Sequence, residues 1–148
     1  MEILYRLSYS LSLIVIFSLF DYFGFNFSLK RKWADYKLIN KYRIAQSIFQ
    51  VILSVLLYLI SDWQSVAAFT LIWWTWGCDF LFYLFCEVFN FGKDRGNFRK
   101  EVMGNNVQWA WWTPYGLMFT KKGDTIGIYT LVIQSIAGLF AAVIICIL

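Results

Sequence analysis

The chain has 148 residues, of which 60% are hydrophobic and 22% aromatic, and its formal net charge is +4. A soluble domain of this size needs a larger polar surface, so the composition excludes an ordinary soluble domain and indicates an integral membrane protein. The chain contains no histidine, which excludes haem with histidine ligands, histidine-rich di-iron sites and Ser-His-Asp catalysis. Its length is sufficient for about four spanning helices of roughly 20 residues in a single membrane domain, 1–148.

The first apolar run covers about residues 5–27 and begins beside a single basic residue, Arg6. A secretory signal peptide begins in the same way, but this run has no small-x-small cleavage site and continues through Phe27. We therefore predict that it is a spanning helix. The spacing places four of its residues on one face: Ser10, Ile14, Phe17 and Asp21.

The second and third apolar runs, about 44–61 and 66–91, are predicted to form an antiparallel helical hairpin. The turn between them, from Asp62 to Ser65, contains no basic residue, so we place it outside the cell. The second run carries a stripe of polar residues at intervals of four: Gln46, Gln50, Ser54 and Tyr58.

The third run contains acidic residues, which are unusual in a membrane helix. Asp79 lies near its middle, and a carboxylate near the bilayer centre costs roughly 2.5–3.5 kcal/mol. A helix that keeps such a residue must face protein or water at that depth. Gly77 allows a neighbouring helix to approach closely. The spacing predicts one continuous polar stripe along the run, formed by Thr75, Asp79, Tyr83 and Glu87.

Residues 102–119 form a further apolar segment, which we predict to be an interfacial or re-entrant helix and not a fifth span. Its continuous apolar part, 107–119, covers only about 20 Å as a helix, less than the ~30 Å hydrocarbon core. Pro114 and Gly116 interrupt it near its end. Both of its flanks are basic, which is unfavourable for a segment that crosses the membrane.

The last apolar run, 125–148, is predicted to be the fourth span. With four spans, both chain termini lie outside and every basic residue except Arg6 lies on the cytoplasmic side, as expected in a cytoplasmic membrane. The fold class predicted from the sequence is therefore an all-α integral membrane protein. Its architecture is a four-transmembrane-helix bundle with an additional interfacial or re-entrant helix.

The basic residues flank the predicted spans, which indicates contact with membrane lipids and not with nucleic acid. Each basic residue near the surface contributes about 1 kcal/mol of attraction to anionic lipid. The expected contacts with anionic headgroups are Lys30, Arg31, Lys32, Arg99 and Lys100.

The predicted depths place polar residues in the cytoplasmic half of every span, which indicates a polar cavity that opens to the cytoplasmic leaflet. A carboxylate among aromatic rings attracts a cation, so the first hypothesis is binding or movement of a small amphiphilic or cationic ligand. We assign no metal site. The candidate ligand-binding residues are Asp79, Glu87, Asp21, Tyr83, Thr75, Gln50, Gln134, Trp76, Asn105, Asn106 and Gln108.

Two other functions fit the same pattern. A membrane-embedded enzyme acting on a lipid or isoprenoid substrate would use the desolvated Asp79 as a general acid or base. An accessory subunit of a larger membrane complex, or a homo-oligomer, would contact its partner chain through the narrow helix face formed by Gln134, Gly138 and Ala142. Asp79→Asn would abolish ligand binding under the first hypothesis and turnover under the second. Under the third it would change little, whereas Gly138→Leu would remove the partner.

Overall fold

The computed structural model describes residues 2–24, 36–75, 77–89 and 128–148. This part of the chain is helical apart from short links and contains no strand, which confirms the predicted all-α class for the described residues. The helices are α1 (Glu2–Gly24), α2 (Tyr36–Ile60), α3 (Trp63–Trp74), α4 (Gly77–Phe89) and α5 (Ile128–Ile147). The predicted helix at 102–119 lies outside the described residues.

Two of these helices are long and apolar enough to cross a membrane, α1 over Glu2–Gly24 and α5 over Tyr129–Ile147. The apolar part of α2, Ile44–Ile60, is shorter. The pair α3 and α4 has the composition of a third span but is bent by 62° at the break between the two helices. The described residues therefore contain two candidate spans, or three if the bent pair is one span.

The break between α3 and α4 corrects the prediction of one continuous helix over 66–91. Helix α3 ends at Thr75, whose backbone N–H and side-chain hydroxyl both donate to the Leu71 carbonyl, at 3.0 and 2.8 Å. Gly77 then starts α4, and a Cβ added there would lie 2.5 Å from Ile72 Cγ2 and 2.8 Å from the Ile72 carbonyl oxygen. Only a residue without a side chain fits this tight junction without a shift.

The bend also ends the predicted polar stripe. Thr75 belongs to the end of α3, whereas Asp79 lies in the first turn of α4. A break of this kind separates residues that would lie one above the other on an unbroken helix. Thr75 instead faces α5, where a Cβ added at Gly138 would overlap its hydroxyl oxygen and lie 2.5 Å from its Cβ.

The small-residue face of α5 is covered by the chain itself. Gly138 and Ala142 are both buried, and the contact between α3 and α5 is the most extensive helix contact in the described part of the protein. The close approach at Gly138 explains the need for glycine. Gly138 and Ala142 therefore pack within the chain, and the neighbour of Gly138 is Thr75 at the end of α3.

A single apolar core joins α1, α2, α3, α4 and α5. Helix α1 packs against α3 and α4, and α2 packs against α3 and α1. The residues at its centre are Ile14, Phe17, Leu53, Leu57, Phe69 and Ile72, each 5% exposed or less. We call these six side chains the apolar layer.

The outward surfaces of the helices are apolar too. On α2 the outward residues include Val51, Val55 and Leu59, which are 59%, 53% and 72% exposed. On α5, Ile133 and Phe140 are 63% and 68% exposed. A soluble monomer rarely exposes continuous apolar surface of this kind, whereas lipid chains cover it at no cost.

Candidate functional site

Asp21, in the last turn of α1, is bound by two side chains of α2. The Tyr42 hydroxyl and the Gln46 side-chain amide both donate to Asp21 Oδ1, each at 2.6 Å. The Tyr42 hydroxyl also lies 2.9 Å from the Asp21 carbonyl oxygen. Gly24 makes room for the tyrosine, since a Cβ at that position would lie 2.8 Å from Tyr42 Oη. The two donors fix α1 to α2 at this level.

Tyr42 acts only as a hydrogen-bond donor in this arrangement and keeps its proton. Burial raises the pKa of Tyr42 above its ordinary value of 10.0, and the charge of Asp21 and the hydrogen bond to its carboxyl raise the pKa further. The phenol therefore stays protonated at any physiological pH. A hydrogen bond from such a donor favours the ionised form of its acceptor, here the Asp21 carboxylate.

Asp79 is the second carboxyl of the site, and it comes from α4. It lies within electrostatic reach of Asp21, because α1 packs directly on α4. Its neighbour Cys78 is buried, and the Cys78 thiol is hydrogen-bonded with the Ser18 hydroxyl of α1. We call the group formed by Asp21, Tyr42, Gln46, Cys78 and Asp79 the acidic site.

The bend at Gly77 determines the surroundings of Asp79. Because α4 begins at Gly77, Asp79 lies in the first turn of a helix and not in its middle. The sequence alone placed Asp79 in mid-helix and did not reveal this position at the start of α4.

Aromatic rings line the contact between α1 and α4 beside the two acids. The ring of Tyr22, next to Asp21, is buried and lies against three phenylalanines of α4. The centroid distances from Tyr22 are 6.2 Å to Phe82, 6.4 Å to Phe85 and 5.8 Å to Phe89. Aromatic faces attract cations within about 6 Å of the ring centre. The site thus combines carboxyl groups with an aromatic wall.

The structure brings together only part of the predicted ligand-binding set. Asp21, Asp79 and Tyr83 lie on the packed helices α1 and α4, and Tyr83 is buried beside Phe82, with ring centroids 5.5 Å apart. Thr75 lies at the end of α3 against α5. Gln50 of α2 and Gln134 of α5 are partly buried. The remaining predicted side chains lie outside the described residues: Trp76, Glu87, Asn105, Asn106 and Gln108.

Three residues of the acidic site, Tyr42, Gln46 and Cys78, were absent from the predicted ligand-binding set. Gln46 stood in the polar stripe of α2, and Tyr42 lies four residues before it, on the same side of the helix. A step of four residues turns the helix by about 400°, so the stripe drifts by about 40° per step. Accordingly Gln46 is 9% exposed, whereas Tyr58, three steps later, is 62% exposed.

A second polar group lies at the opposite end of the helices. Arg6 Nε donates to Asp62 Oδ2 at 2.6 Å, and Arg6 Nη1 donates to the Cys146 carbonyl at 3.0 Å. The Ser10 hydroxyl donates to the Ser65 carbonyl at 2.8 Å. We call these residues, with Ser61, the terminal cluster: Arg6, Ser10, Ser61, Asp62, Ser65 and the carbonyl of Cys146.

Asp62 organises the terminal cluster. As the N-cap of α3 it accepts hydrogen bonds at Oδ1 from the backbone N–H and the hydroxyl of Ser65, both at 2.9 Å. Partial burial acts to raise the pKa of Asp62, but the hydrogen bonds from Ser65 and Arg6 and the charge of Arg6 outweigh it and hold the pKa below its ordinary value of 3.8. Asp62 is therefore ionised at neutral pH and paired with Arg6.

Comparisons with protein-family models, with curated proteins and with solved structures find no match for this chain. Within the described ranges, no three or more His, Cys, Asp or Glu side chains come together in a way that could hold a metal ion. The assignment of function therefore depends on the acidic site and its surroundings.

Proposed function

We propose that this protein is a four-span membrane protein whose acidic site binds, or moves across the membrane, a small hydrophobic cation in exchange for a proton. The observation that carries the proposal is that two acids, Asp21 and Asp79, lie within electrostatic reach of each other on the packed helices α1 and α4, whose contact also contains a wall of aromatic rings. Among the described side chains the ion pair is Arg6 with Asp62, and within that part of the chain no basic side chain is paired with Asp21 or Asp79.

Charge balance supports a cationic occupant. Two carboxyls within electrostatic reach of each other in a low-dielectric environment cannot both keep a full charge without a large cost. A proton on one carboxyl, or a cation between them, removes that cost. Tyr42 and Gln46 both donate to Asp21 and oppose the effect of its burial, so Asp21 is the acid better suited to carry the negative charge that an incoming cation neutralises. Binding of the cation then releases the proton held by its partner.

The aromatic wall supports a hydrophobic cation over a small hydrated one. Tyr22, Phe82 and Phe89 lie at the contact between α1 and α4, the helices that carry the two acids, and ring faces bind organic cations through their quadrupoles. A hydrated metal ion would lose its water shell against these rings with little compensation. An amphiphilic amine or a delocalised organic cation gains from both the rings and the carboxylate.

The arrangement of the helices supports the four-span topology. Arg6, near the start of α1, contacts the end of α5 and the link between α2 and α3, so these three chain positions lie on one side of the bundle. The other ends of α1 and α2 meet at the Asp21–Tyr42 hydrogen bond. With the basic segments at 30–43, 93–100 and 121–122 on that second side, it is the cytoplasmic side in this proposal. The same segments would contact anionic lipid headgroups.

Equilibrium binding of tetraphenylphosphonium, a hydrophobic cation, to the protein in lipid nanodiscs tests the proposal. We expect saturable binding with release of a proton, and we expect Asp79→Asn and Asp21→Asn each to raise Kd by about 30-fold or more, the usual loss when one partner of a buried charge pair is removed. Asp62→Asn is the matched control, since it removes an acid at the opposite end and should leave Kd unchanged. Equal binding by all four proteins would overturn the proposal.

A further inference from the structure

We propose that the acidic site is entered from one side of the membrane only, the side opposite both chain termini. The side of the termini is closed by two successive barriers, the apolar layer and the terminal cluster. This inference rests on the proposed function for the identity of the occupant, but the sidedness follows from the order of residues along each helix.

The polar and apolar residues follow one another in the same order, from the terminal side to the acidic site, on α1 and α2. From the terminal side, α1 presents Ser10, then Ile14 and Phe17 of the apolar layer, and then Ser18 and Asp21. At ~1.5 Å per residue, Arg6 and Asp21 are separated by about 22 Å along the helix. Helix α2 runs the other way and presents the same levels in reverse, from Tyr42 and Gln46 through Leu53 and Leu57 to the link at Ser61.

Helices α3 and α5 continue the pattern. From the terminal side, α3 presents Ser65 and then Phe69 and Ile72 of the apolar layer, before the chain turns at Gly77 into the acidic site. On α5, Ala142 and Cys146 both pack into the apolar core, and the Cys146 carbonyl also accepts a hydrogen bond from Arg6 in the terminal cluster. Residues of the apolar layer therefore separate the two polar groups along α1, along α2 and along the α3–α4 pair.

The apolar layer is tightly filled. Ile14, Phe17, Leu57 and Phe69 are 1%, 2%, 0% and 0% exposed, and Phe17 stacks on Phe49 with ring centroids 5.9 Å apart. An organic cation has no polar partner within such a layer and cannot pass it without separating the helices. The layer therefore acts as a dry barrier between the acidic site and the side of the termini.

The terminal cluster ties the helices together beyond this layer. Arg6 joins α1 to the N-cap of α3 through Asp62 and to the last turn of α5 through the Cys146 carbonyl. Ser10 joins α1 to α3 a second time through the Ser65 carbonyl. Opening this end requires breaking a charge-assisted pair in a partly buried location, so the open form is a minor state.

Side-specific labelling of Cys78 tests the inference, because this buried thiol lies in the acidic site beside Asp79. The protein would carry Cys86→Ser and Cys146→Ser, and the second change keeps the carbonyl that Arg6 contacts. A positively charged, membrane-impermeant methanethiosulfonate reagent is added to either side of sealed vesicles with known protein orientation. We expect labelling from the side opposite the termini to be at least about tenfold faster, since a closed side opens only as a minor state of 0.1–10%.

Variants of the terminal cluster complete the test. Arg6→Gln and Asp62→Asn should raise labelling from the terminal side by about tenfold or more, while the labelling rate from the opposite side stays unchanged. Glu2→Gln is the matched control, because Glu2 is an exposed acid on the same end of α1.

Three results obtained with the unmodified terminal cluster would each overturn the inference: equal labelling of Cys78 from both sides, faster labelling from the terminal side, or no labelling from either side. Tetraphenylphosphonium binding in nanodiscs, which are open on both faces, is independent of sidedness and so separates this failure from failure of the proposed function.

Discussion

The phenol of Tyr42 donates a 2.6 Å hydrogen bond to the carboxylate of Asp21, and this contact joins α1 to α2 at the level of the acidic site. Tyr42→Phe removes the donor and keeps the ring. We expect a loss of about 1–2 kcal/mol in the free energy of unfolding, above the mean for neutral hydrogen bonds in membranes because the acceptor is charged. Thermal unfolding in nanodiscs measures this loss. Tyr58→Phe is the control, since Tyr58 lies on the same helix and is 62% exposed; equal effects from the two changes would contradict the prediction.

Gly138 provides a test of how α5 packs. Gly138→Leu places a side chain where the Thr75 side chain already lies, so we expect loss of the folded monomer or destabilisation by about 3 kcal/mol or more. Ala137→Leu is the control, because Ala137 is exposed and should tolerate the same enlargement. Size-exclusion chromatography and thermal unfolding report the result. A Gly138→Leu protein that folds normally and only loses a partner chain would restore the accessory-subunit hypothesis.

The lowered pKa of Asp62 predicts that the free energy of unfolding depends on pH in the acid range. Its folded-state pKa lies below the ordinary value of 3.8, so Asp62 contributes stability that is complete above about pH 4 and is lost as the pH falls through the lowered pKa. Unfolding measured from pH 7 to pH 3 should therefore show a decline in the acid range that is smaller in Asp62→Asn. The control is Glu2→Gln, an exposed acid at the same end of α1, whose acid profile should match that of the unaltered protein.

Asp79→Asn should abolish binding of the cation without lowering the stability of the protein. Replacing a carboxyl that shares its site with Asp21 removes electrostatic repulsion, so we expect the free energy of unfolding to stay equal or to rise by as much as about 4 kcal/mol. Binding of tetraphenylphosphonium should be lost in the same variant. The same change at Asp62 should lower stability, because Asp62 is paired with Arg6. If Asp79→Asn gained stability and kept full binding, Asp79 would be a structural residue only.

Much of the helical architecture could be predicted from local sequence. Apolar runs of sufficient length predicted α1 and α5, and the spacing of Ser10, Ile14 and Phe17 predicted the face of α1 that the structure buries. Such patterns depend on periodicity within one segment, which the sequence displays directly. For the same reason the hairpin link at Asp62 was placed correctly between α2 and α3.

The bend at Gly77 and the two polar groups could not be predicted in this way. Apolar residues continue on both sides of the bend, and its tight geometry involves Ile72 from the preceding turn and Gly138 from a distant helix. Arg6 and Asp62 are 56 residues apart, so their pairing follows from the packing of α1 on α3. The role of Tyr42 could not be predicted either, because its acceptor, Asp21, lies on another helix.

The contact between Arg6 and the Cys146 carbonyl also has a consequence for biosynthesis. The two residues are separated by 140 positions, so the guanidinium is synthesised long before its carbonyl acceptor. During synthesis Asp62 is made first and can neutralise the charge of Arg6 as soon as α1 and α2 have formed. The final hydrogen bond then forms only when the last helix docks. The hydrogen bond from Arg6 to Cys146 is therefore present only in the completely assembled bundle. A ribosome stalled before α5 would leave a bundle whose terminal end is only partly closed.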